Sequence, residues 1–222
     1  MPTSLTTIFS ETLDRLINET AQASGRDISE IRPFVCHGNP MQCDIFVVGT
    51  NPASTVSWAS FWDKERATFN KEKWLHVYEE ERAAKKRAQG KTGFHRWSTT
   101  RSRIEILNDA LGAQHRALET NLYSVSTPKE NDLTRADKIP LIFNFLLRSI
   151  KPKALLVHGD ATAQYLRKTY KWSEAVGCSV MSFEYGSAAI LFTPHLAARG
   201  GLVTNEKVKE WGRMLYLNLQ EA

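Results

Sequence analysis

Residues 44–54 read Asp-Ile-Phe-Val-Val-Gly-Thr-Asn-Pro-Ala-Ser, an apolar, β-branched run that stops at Gly49 and continues as a turn of small and polar residues. A short apolar run ended by glycine is typical of a strand that is buried on both faces of a parallel sheet. Because ligands bind beyond the carboxyl ends of the strands in such sheets, we expect Thr50, Asn51 and Ser54 at the mouth of a crevice. An ordinary strand-to-helix turn without chemistry is the alternative interpretation of the same residues.

The segments around this run alternate between strand and helix patterns. Apolar periodicity predicts helices over about 4–24, 70–89, 99–111, 140–150, 160–169 and from 204 onward, and strands over 44–48, 118–125, 154–158, 180–183 and 189–193. This alternation indicates an α/β fold with a mostly parallel central sheet. The 222 residues suffice to bury a proper core and contain no repeat or linker, so we expect a single domain over residues 1–222.

The bulk composition favours an intracellular protein that does not enter membranes. Hydrophobic residues at 42% and charged residues at 24% are ordinary for a globular chain, and no apolar run is long enough to span a bilayer. The N-terminal residues lack the basic and apolar regions of a signal peptide. Three cysteines, at positions 36, 43 and 178, make no even disulfide set. We therefore expect a reduced, cytoplasmic protein.

A basic and aromatic segment over about 58–103, here called the basic insertion, follows the first polar turn. Between Lys64 and Arg103 the sequence has 12 Lys and Arg against 5 Glu, a local charge of +7, whereas the whole chain carries +5. Basic residues interleaved with Trp and Phe are typical of surfaces that bind nucleic-acid strands. A solvated helix with internal ion pairs is the alternative for residues 79–87.

Several short motifs in this sequence resemble the uracil-DNA glycosylase superfamily, over about residues 44–201. Gly49-Thr50-Asn51-Pro52 is similar to the Gly-x-Asn-Pro form of the family's first motif. Residues 193–200, Thr-Pro-His-Leu-Ala-Ala-Arg-Gly, resemble a degenerate second motif, which usually begins His-Pro-Ser or Asn-Pro-Ser. Glu119-Thr120-Asn121 resembles the strand whose asparagine reads the uracil edge, and residues 150–159 resemble the family's helix-to-strand passage.

The resemblance implies a uracil-DNA glycosylase-like three-layer sandwich and a monofunctional DNA glycosylase that hydrolyses N-glycosidic bonds in DNA repair. Such an enzyme flips its target nucleotide out of the stack and needs neither cofactor nor metal. We expect DNA as the partner, a monomeric state, and the basic insertion as an addition to the fold. The implied catalytic residues are Asn51 and His195, the substrate-binding residues are Gly49, Thr50, Pro52, Phe61 and Asn121, and the DNA contacts are Ser54 and Arg199.

The implied chemistry divides among three side chains. Asn51 would orient the attacking water, although its amide cannot accept a proton near neutral pH. His195 would donate a hydrogen bond to the base oxygen as negative charge builds there. Asn121 can present an acceptor to N3–H and a donor to O4, a pattern that suits uracil and thymine but not cytosine. Phe61 or Trp62 would stack on the flipped base, with packing in the core as the alternative for either residue.

The sequence also departs from the family pattern. Either His195 is shifted by a gap relative to the usual histidine, or Thr193 takes that position and His195 takes the place of the serine. Three cysteines do not supply the four ligands of an iron–sulfur cluster. A catalytically silent nucleic-acid-binding module on the same fold, or an enzyme acting on free nucleosides or nucleotides, are the competing hypotheses.

Overall fold

The computed structural model describes residues 5–112, 114–174 and 178–220. Helices and strands alternate along most of these residues. The helices are α1 (Leu5–Ser24), α2 (Lys71–Ala88), α3 (Thr99–Leu111), α4 (Leu141–Ile150), α5 (Asp160–Thr169) and α6 (Asn205–Gln220). The strands are β1 (Phe34–Gly38), β2 (Ile45–Gly49), β3 (Trp62–Asp63), β4 (Thr68–Asn70), β5 (Ala117–Asn121), β6 (Ala154–His158), β7 (Lys171–Glu174), β8 (Ser179–Phe183) and β9 (Gly186–Thr193).

Within the described residues, nine strands form one mixed sheet in the order β3-β4-β1-β5-β2-β6-β9-β8-β7. Its centre, β5-β2-β6-β9, is parallel, and the flanking strands on both sides pair antiparallel. The α/β class is confirmed. The prediction of a mostly parallel sheet is wrong, because five of the eight pairings between these strands are antiparallel.

The strands that the sequence failed to predict are all in the antiparallel flanks. β1 lies in a stretch that reads as irregular because Pro33, Gly38 and Pro40 surround it. β3 and β4 have two and three residues, too few for a period-two pattern to emerge. β7 is exposed at every position, so it carries no apolar face. Short or polar strands form because the neighbouring strand offers a ladder of hydrogen bonds, which a local pattern does not reveal.

Both faces of the parallel centre are covered by apolar side chains. In β2, Phe46 and Val48 belong to one buried cluster, whereas Ile45 and Val47 belong to another. The first cluster includes buried residues of α1 and α4, and the second includes buried residues of α3 and α6. This two-sided burial explains why β2 is continuously apolar. None of the helices in the described ranges is both long and apolar enough to cross a bilayer.

The basic insertion packs beside β1 through a cluster of aromatic rings. Phe34 of β1 lies edge-on to Trp58 and Trp62, with ring centroids 5.2 Å and 5.6 Å away. Trp58 and Phe69 are almost parallel, 5.9 Å apart. This packing anchors the short hairpin of β3 and β4 beside β1, and α2 also packs against β1.

Candidate functional site

Four parallel strands end at one edge of the sheet, and each ends in a residue with a role in the geometry of the site. β2 ends at Gly49, directly opposite Asn121 at the end of β5. β6 ends at His158, opposite Thr193 at the end of β9. The carboxyl edge of the sheet therefore brings an asparagine and a histidine to either side of a glycine.

A cavity of about 470 Å³ lies at this edge. Its lining includes six residues from the carboxyl ends of the strands and the loops after them: Thr50, Asn51, Ser54, Asn121, His158 and His195. Six more line it on the side of β1, α2 and α3: Arg32, Trp74, Tyr78, Ser98, Arg101 and Glu119. The structure thus brings together Asn51, Asn121 and His195, which lie far apart in the sequence.

Gly49 allows two side chains to approach the end of β2 closely. A Cβ atom added at Gly49 would lie 2.8 Å from Oδ1 of Asn121 and 2.9 Å from Cε1 of His158. Both distances are shorter than a normal van der Waals contact. Glycine is therefore required here for close packing of the amide and the imidazole, rather than for its backbone freedom.

We expect Gly49→Ala to destabilise the protein while leaving the sheet formed. The added methyl group displaces the Asn121 amide and the His158 ring, which overpacks the site at a cost of about 1–3 kcal/mol. Urea denaturation measures this loss in the free energy of unfolding. Gly93→Ala is the matched control, because a Cβ at Gly93 meets no atom within 4 Å. Equal stability of the two variants would contradict the role given to Gly49.

The side chain of Asn51 is held in one orientation by Thr127. Its Nδ2 donates to the carbonyl oxygen of Thr127 at 3.1 Å and to Oγ1 of Thr127 at 2.8 Å. A carbonyl oxygen only accepts hydrogen bonds, so the nitrogen must face it and Oδ1 must face away. Pro52 is buried, and its carbonyl oxygen accepts from the amide of Thr127 at 2.9 Å, which tightens the same contact. The acceptor oxygen of Asn51 is thereby preset.

Two imidazoles, one from each of two adjacent strand ends, meet across the cavity. The rings of His158 and His195 lie edge to face, 5.2 Å apart with an angle of 72°. Nδ1 of His195 accepts from the backbone amide of Ala197 at 3.1 Å, so a neutral His195 carries its proton on Nε2 and can donate from there. Desolvation lowers the pKa of His195, an effect that Glu130 opposes. The lowered pKa and the hydrogen bond that Nδ1 accepts both favour the neutral form of His195.

His158 is buried, and its ring is kept neutral. Burial, reinforced by His195, lowers the pKa of His158 from 6.5 to about 3. Its Nδ1 is enclosed and has no hydrogen-bond partner among the described residues. Unsatisfied buried polar atoms are uncommon and call for an explanation, such as a water or a ligand in the adjoining space. His158 is thus a neutral group with unused hydrogen-bonding capacity in the lining of the cavity.

We expect His158 to make the protein acid-sensitive. The unfolded chain binds a proton at this histidine near pH 6.5, whereas the folded protein does so only near pH 3. The free energy of unfolding is therefore unaffected by His158 above pH 6.5. It decreases as the pH falls from 6.5 toward 3, by about 2 kcal/mol at about pH 5. Urea unfolding at several pH values should show a smaller decline for His158→Gln than for wild type. The same decline in both proteins would contradict this assignment.

The remaining predicted residues divide between the cavity and other surroundings. Thr50 is buried, and its Oγ1 lies 3.3 Å from Oγ1 of Thr162. Ser54 lines the cavity, and its Oγ accepts from the amide of Val56. Phe61 is not among the described lining residues; it is buried at 7% exposure against Phe69, with ring centroids 6.2 Å apart. Arg199 is exposed and does not belong to the described lining either.

A buried ion-pair cluster forms the far wall of the cavity. The carboxylate of Glu119, on β5, lies 2.8 Å from Nζ of Lys71 and 2.5 Å from Nη1 of Arg101. Glu105 contacts the same two cations, at 3.0 Å and 2.8 Å. These cations hold the pKa of Glu119 at about 2 although burial opposes ionisation. Arg101, predicted only as part of a basic surface, is therefore an internal residue.

His158 and Arg32 line the cavity, although no site role is predicted for either of them from the sequence. His158 carried a signal, because it is the one polar residue that ends the buried apolar run 154–158, next to a glycine. Arg32 carried none, since the antiparallel strand that it precedes was not predicted. β1 pairs antiparallel with β5, with Phe34 opposite Thr120. Arg32, two residues before Phe34, therefore lies near the carboxyl end of β5, where Asn121 is.

Comparison with known proteins gives no further assignment: no protein-family model matches this chain, and no curated protein is significantly similar to it. Among residues 5–112, 114–174 and 178–220, no group of three His, Cys, Asp or Glu side chains is placed to hold a metal ion.

Proposed function

We propose that this protein is a DNA glycosylase, which excises uracil or another deaminated base through attack of water on the N-glycosidic bond. The observation that carries the proposal is the convergence of Asn51, Asn121 and His195 on one cavity at the carboxyl edge of the sheet. These are the residues that the motif resemblance selected. The proposal includes the three-layer, glycosylase-like architecture and a role in DNA repair inside the cell.

In this proposal the Asn121 amide reads the edge of the base. Its half-buried side chain sits against Gly49 at the end of β5, and no described hydrogen bond occupies its donor or acceptor groups. An amide with both functions free matches N3–H and O4 of uracil at once. A flipped base of this size fits the cavity volume of about 470 Å³.

The attacking water and the departing base use different side chains. Oδ1 of Asn51, which Thr127 turns away from itself, accepts a hydrogen bond from the water and orients it. Nε2–H of the neutral His195 donates to the base oxygen as negative charge develops on the leaving base. The neutral His158 ring lies edge to face with His195, and its Nδ1, which has no described partner, is available to a water or to the base.

The DNA strand would approach over the basic insertion, with the protein acting as a monomer and needing no cofactor. Exposed basic side chains at the end of α2, Lys85 and Arg87 among them, can contact phosphates. Ser54 lies at the cavity and Arg199 on the exposed surface, and both remain proposed phosphate contacts. Arg101 is excluded from this role because Glu105 and Glu119 engage it.

A catalytically silent nucleic-acid-binding module is the second candidate. It is favoured by the position of the carboxylates. The lining includes Glu119 and Glu130, but neither lies in the turn after β2, where Asn51 would orient the water. With a pKa of about 2 and two bound cations, Glu119 is an unsuitable general base near neutral pH. A site without a carboxylate next to the water would bind a base without cleaving its glycosidic bond, or would cleave it slowly.

One experiment separates the two candidates. A uracil-containing single strand is incubated with the protein and then treated with alkali, which breaks the strand wherever a base has been lost. The control is the same strand with cytosine in place of uracil and with no thymine. Breakage of the uracil strand by wild type, without breakage of the control strand, supports the glycosylase. Binding of the uracil strand without breakage, with hypoxanthine also unreleased from single- and double-stranded DNA, favours the silent module.

A further inference from the structure

The side of the cavity formed by Arg32, Trp74, Tyr78, Ser98 and Arg101, here called the arginine wall, has features that base recognition does not use. It lies beyond β5, on the side of the basic insertion; α2 and α3 supply three of its five residues, and Ser98 is the N-cap of α3. A flipped base held by Asn121 would leave this wall in contact with the remainder of the nucleotide.

Arg32 is a cation without a counter-ion. Its side chain makes no salt bridge and no hydrogen bond to the described residues, and its Nη1 is enclosed without a partner. Its guanidinium lies over the Trp74 ring, 5.6 Å from the centroid, and that of Arg101 lies over the same ring at 4.9 Å. Two guanidinium groups of the cavity lining thus pack on one tryptophan.

The charges around the arginine wall do not balance. Three cations, Arg32, Lys71 and Arg101, face two carboxylates, Glu105 and Glu119, and both carboxylates are engaged by Lys71 and Arg101. Burial, together with Arg101, lowers the pKa of Arg32 to about 10, although Glu119 and Tyr78 act in the opposite direction. The protein thus holds a guanidinium where its charge is disfavoured, and an anion beside it would relieve that cost.

The first turn of α3 adds polar donors to the same wall. Ser98 is its N-cap, and its Oγ accepts from the amide of Arg101 at 3.2 Å and from the hydroxyl of Tyr78 at 3.0 Å, which leaves the Ser98 hydroxyl proton free to donate. Ser98, Thr100 and Arg101 all line the cavity, so the beginning of α3 borders this space. The first amides of a helix have no partner within the helix and favour anions.

We propose that the arginine wall is an anion subsite that takes a phosphate group of the substrate, with the guanidinium of Arg32 as its principal ligand. A planar guanidinium can bind two phosphate oxygens at once, and the hydroxyl of Ser98, which Tyr78 holds in place by donating to its Oγ, adds a second donor. The phosphate belongs either to a DNA strand or to a free nucleotide. This inference rests on the proposed function, because it names what else the same cavity holds beside the base.

Phosphate binding is tested first on the wild-type protein. Inorganic phosphate should raise the unfolding temperature more than chloride at equal ionic strength, since a ligand of the folded state stabilises it. Arg32→Gln should lose this difference, whereas Arg66→Gln should keep it. Arg66 is the matched control, an arginine of the basic insertion whose side chain is 82% exposed. Equal effects of phosphate and chloride on wild type would overturn the proposal, whether or not Arg32→Gln folds.

The source of the phosphate is distinguished by calorimetry with deoxyuridine, deoxyuridine 5′-monophosphate and a uracil-containing single strand. We expect Arg32→Gln to weaken the nucleotide or the strand by about tenfold or more while changing deoxyuridine less than about twofold. Weakening of the nucleotide indicates a free-nucleotide source, and weakening of the strand alone indicates DNA. Equal losses for all three ligands, or losses matched by Arg66→Gln, would overturn the subsite.

These measurements follow binding and not excision. An inactive wild type that binds phosphate through Arg32 would refute the glycosylase and retain the anion subsite. An active wild type with unchanged nucleotide and strand affinities in Arg32→Gln would refute the subsite and retain the glycosylase.

Discussion

Replacing Asn121 by alanine should lower base excision by about a thousandfold or more. Without the amide, the polar edge of the base enters the pocket without hydrogen-bond partners, which disfavours its binding and the transition state. The Asn121 amide packs against Gly49, at the centre of the carboxyl edge, and makes no described hydrogen bond to the protein. Its loss should therefore leave folding nearly unchanged. The measurement is the rate of alkali-sensitive break formation in a uracil-containing strand, with thermal unfolding recorded in parallel.

Asn18→Ala is the control for Asn121→Ala, since Asn18 is an exposed asparagine on α1 that bonds only to the carbonyl oxygen of Asp14. The control should excise at the wild-type rate. Retention of excision within about tenfold in Asn121→Ala would show that another group reads the base. A matching loss of stability and activity would point to a structural role instead.

Replacing Glu119 by glutamine should have the largest effect on stability, about 3–5 kcal/mol, because it leaves buried cations without their main counter-ion. Lys71 is 2% exposed and Arg101 is 7% exposed, so neither can turn to solvent. Glu105 alone would then face both cations. Chemical denaturation of wild type and Glu119→Gln at neutral pH measures the difference directly.

Glu206→Gln provides the comparison for Glu119→Gln, because Glu206 pairs with Lys209 at 3.0 Å but is 78% exposed. Surface pairs contribute little, so we expect a change of less than about 1 kcal/mol. The pKa of Glu119 falls from 4.5 to about 2 on folding, so its contribution is present above pH 4.5 and is lost as the pH falls toward 2. Equal stability of Glu119→Gln and Glu206→Gln at neutral pH would contradict the account of the cluster.

The middle strands of the parallel centre could be predicted because strands that are buried on both faces stay apolar for their whole length. β2 and β6 are two such cases, with every residue buried. Of the flanking strands only β8 was predicted; the others were missed since, for example, β7 is fully exposed and β3 has only two residues. Their pairing partners decide their conformation, and a local pattern holds no record of those partners.

The candidate site divides in the same way. Asn51 could be selected from sequence because it follows an apolar strand, at whose carboxyl end ligands bind, whereas Asn121 was selected through the resemblance of Glu119-Thr120-Asn121 to a family motif. Phe61 could not be assigned correctly by this reasoning: an aromatic residue near the motif serves a base or the core equally well in sequence, and its contact with Phe69 appears only in three dimensions. The unpaired state of Arg32 is likewise a property of the folded cavity and not of any motif.

The central claim, that the cavity at the carboxyl edge receives a nucleobase, is tested most directly by titrating nitrogen-15-labelled protein with uracil and following side-chain nitrogen resonances. The account predicts that the amide signal of Asn121, assigned by its absence in Asn121→Ala, shifts together with the imidazole signals of His158 and His195. The amide signal of Asn18, which is exposed on α1, should stay in place. Unchanged Asn121 and histidine signals, up to about 10 mM uracil, would contradict the account.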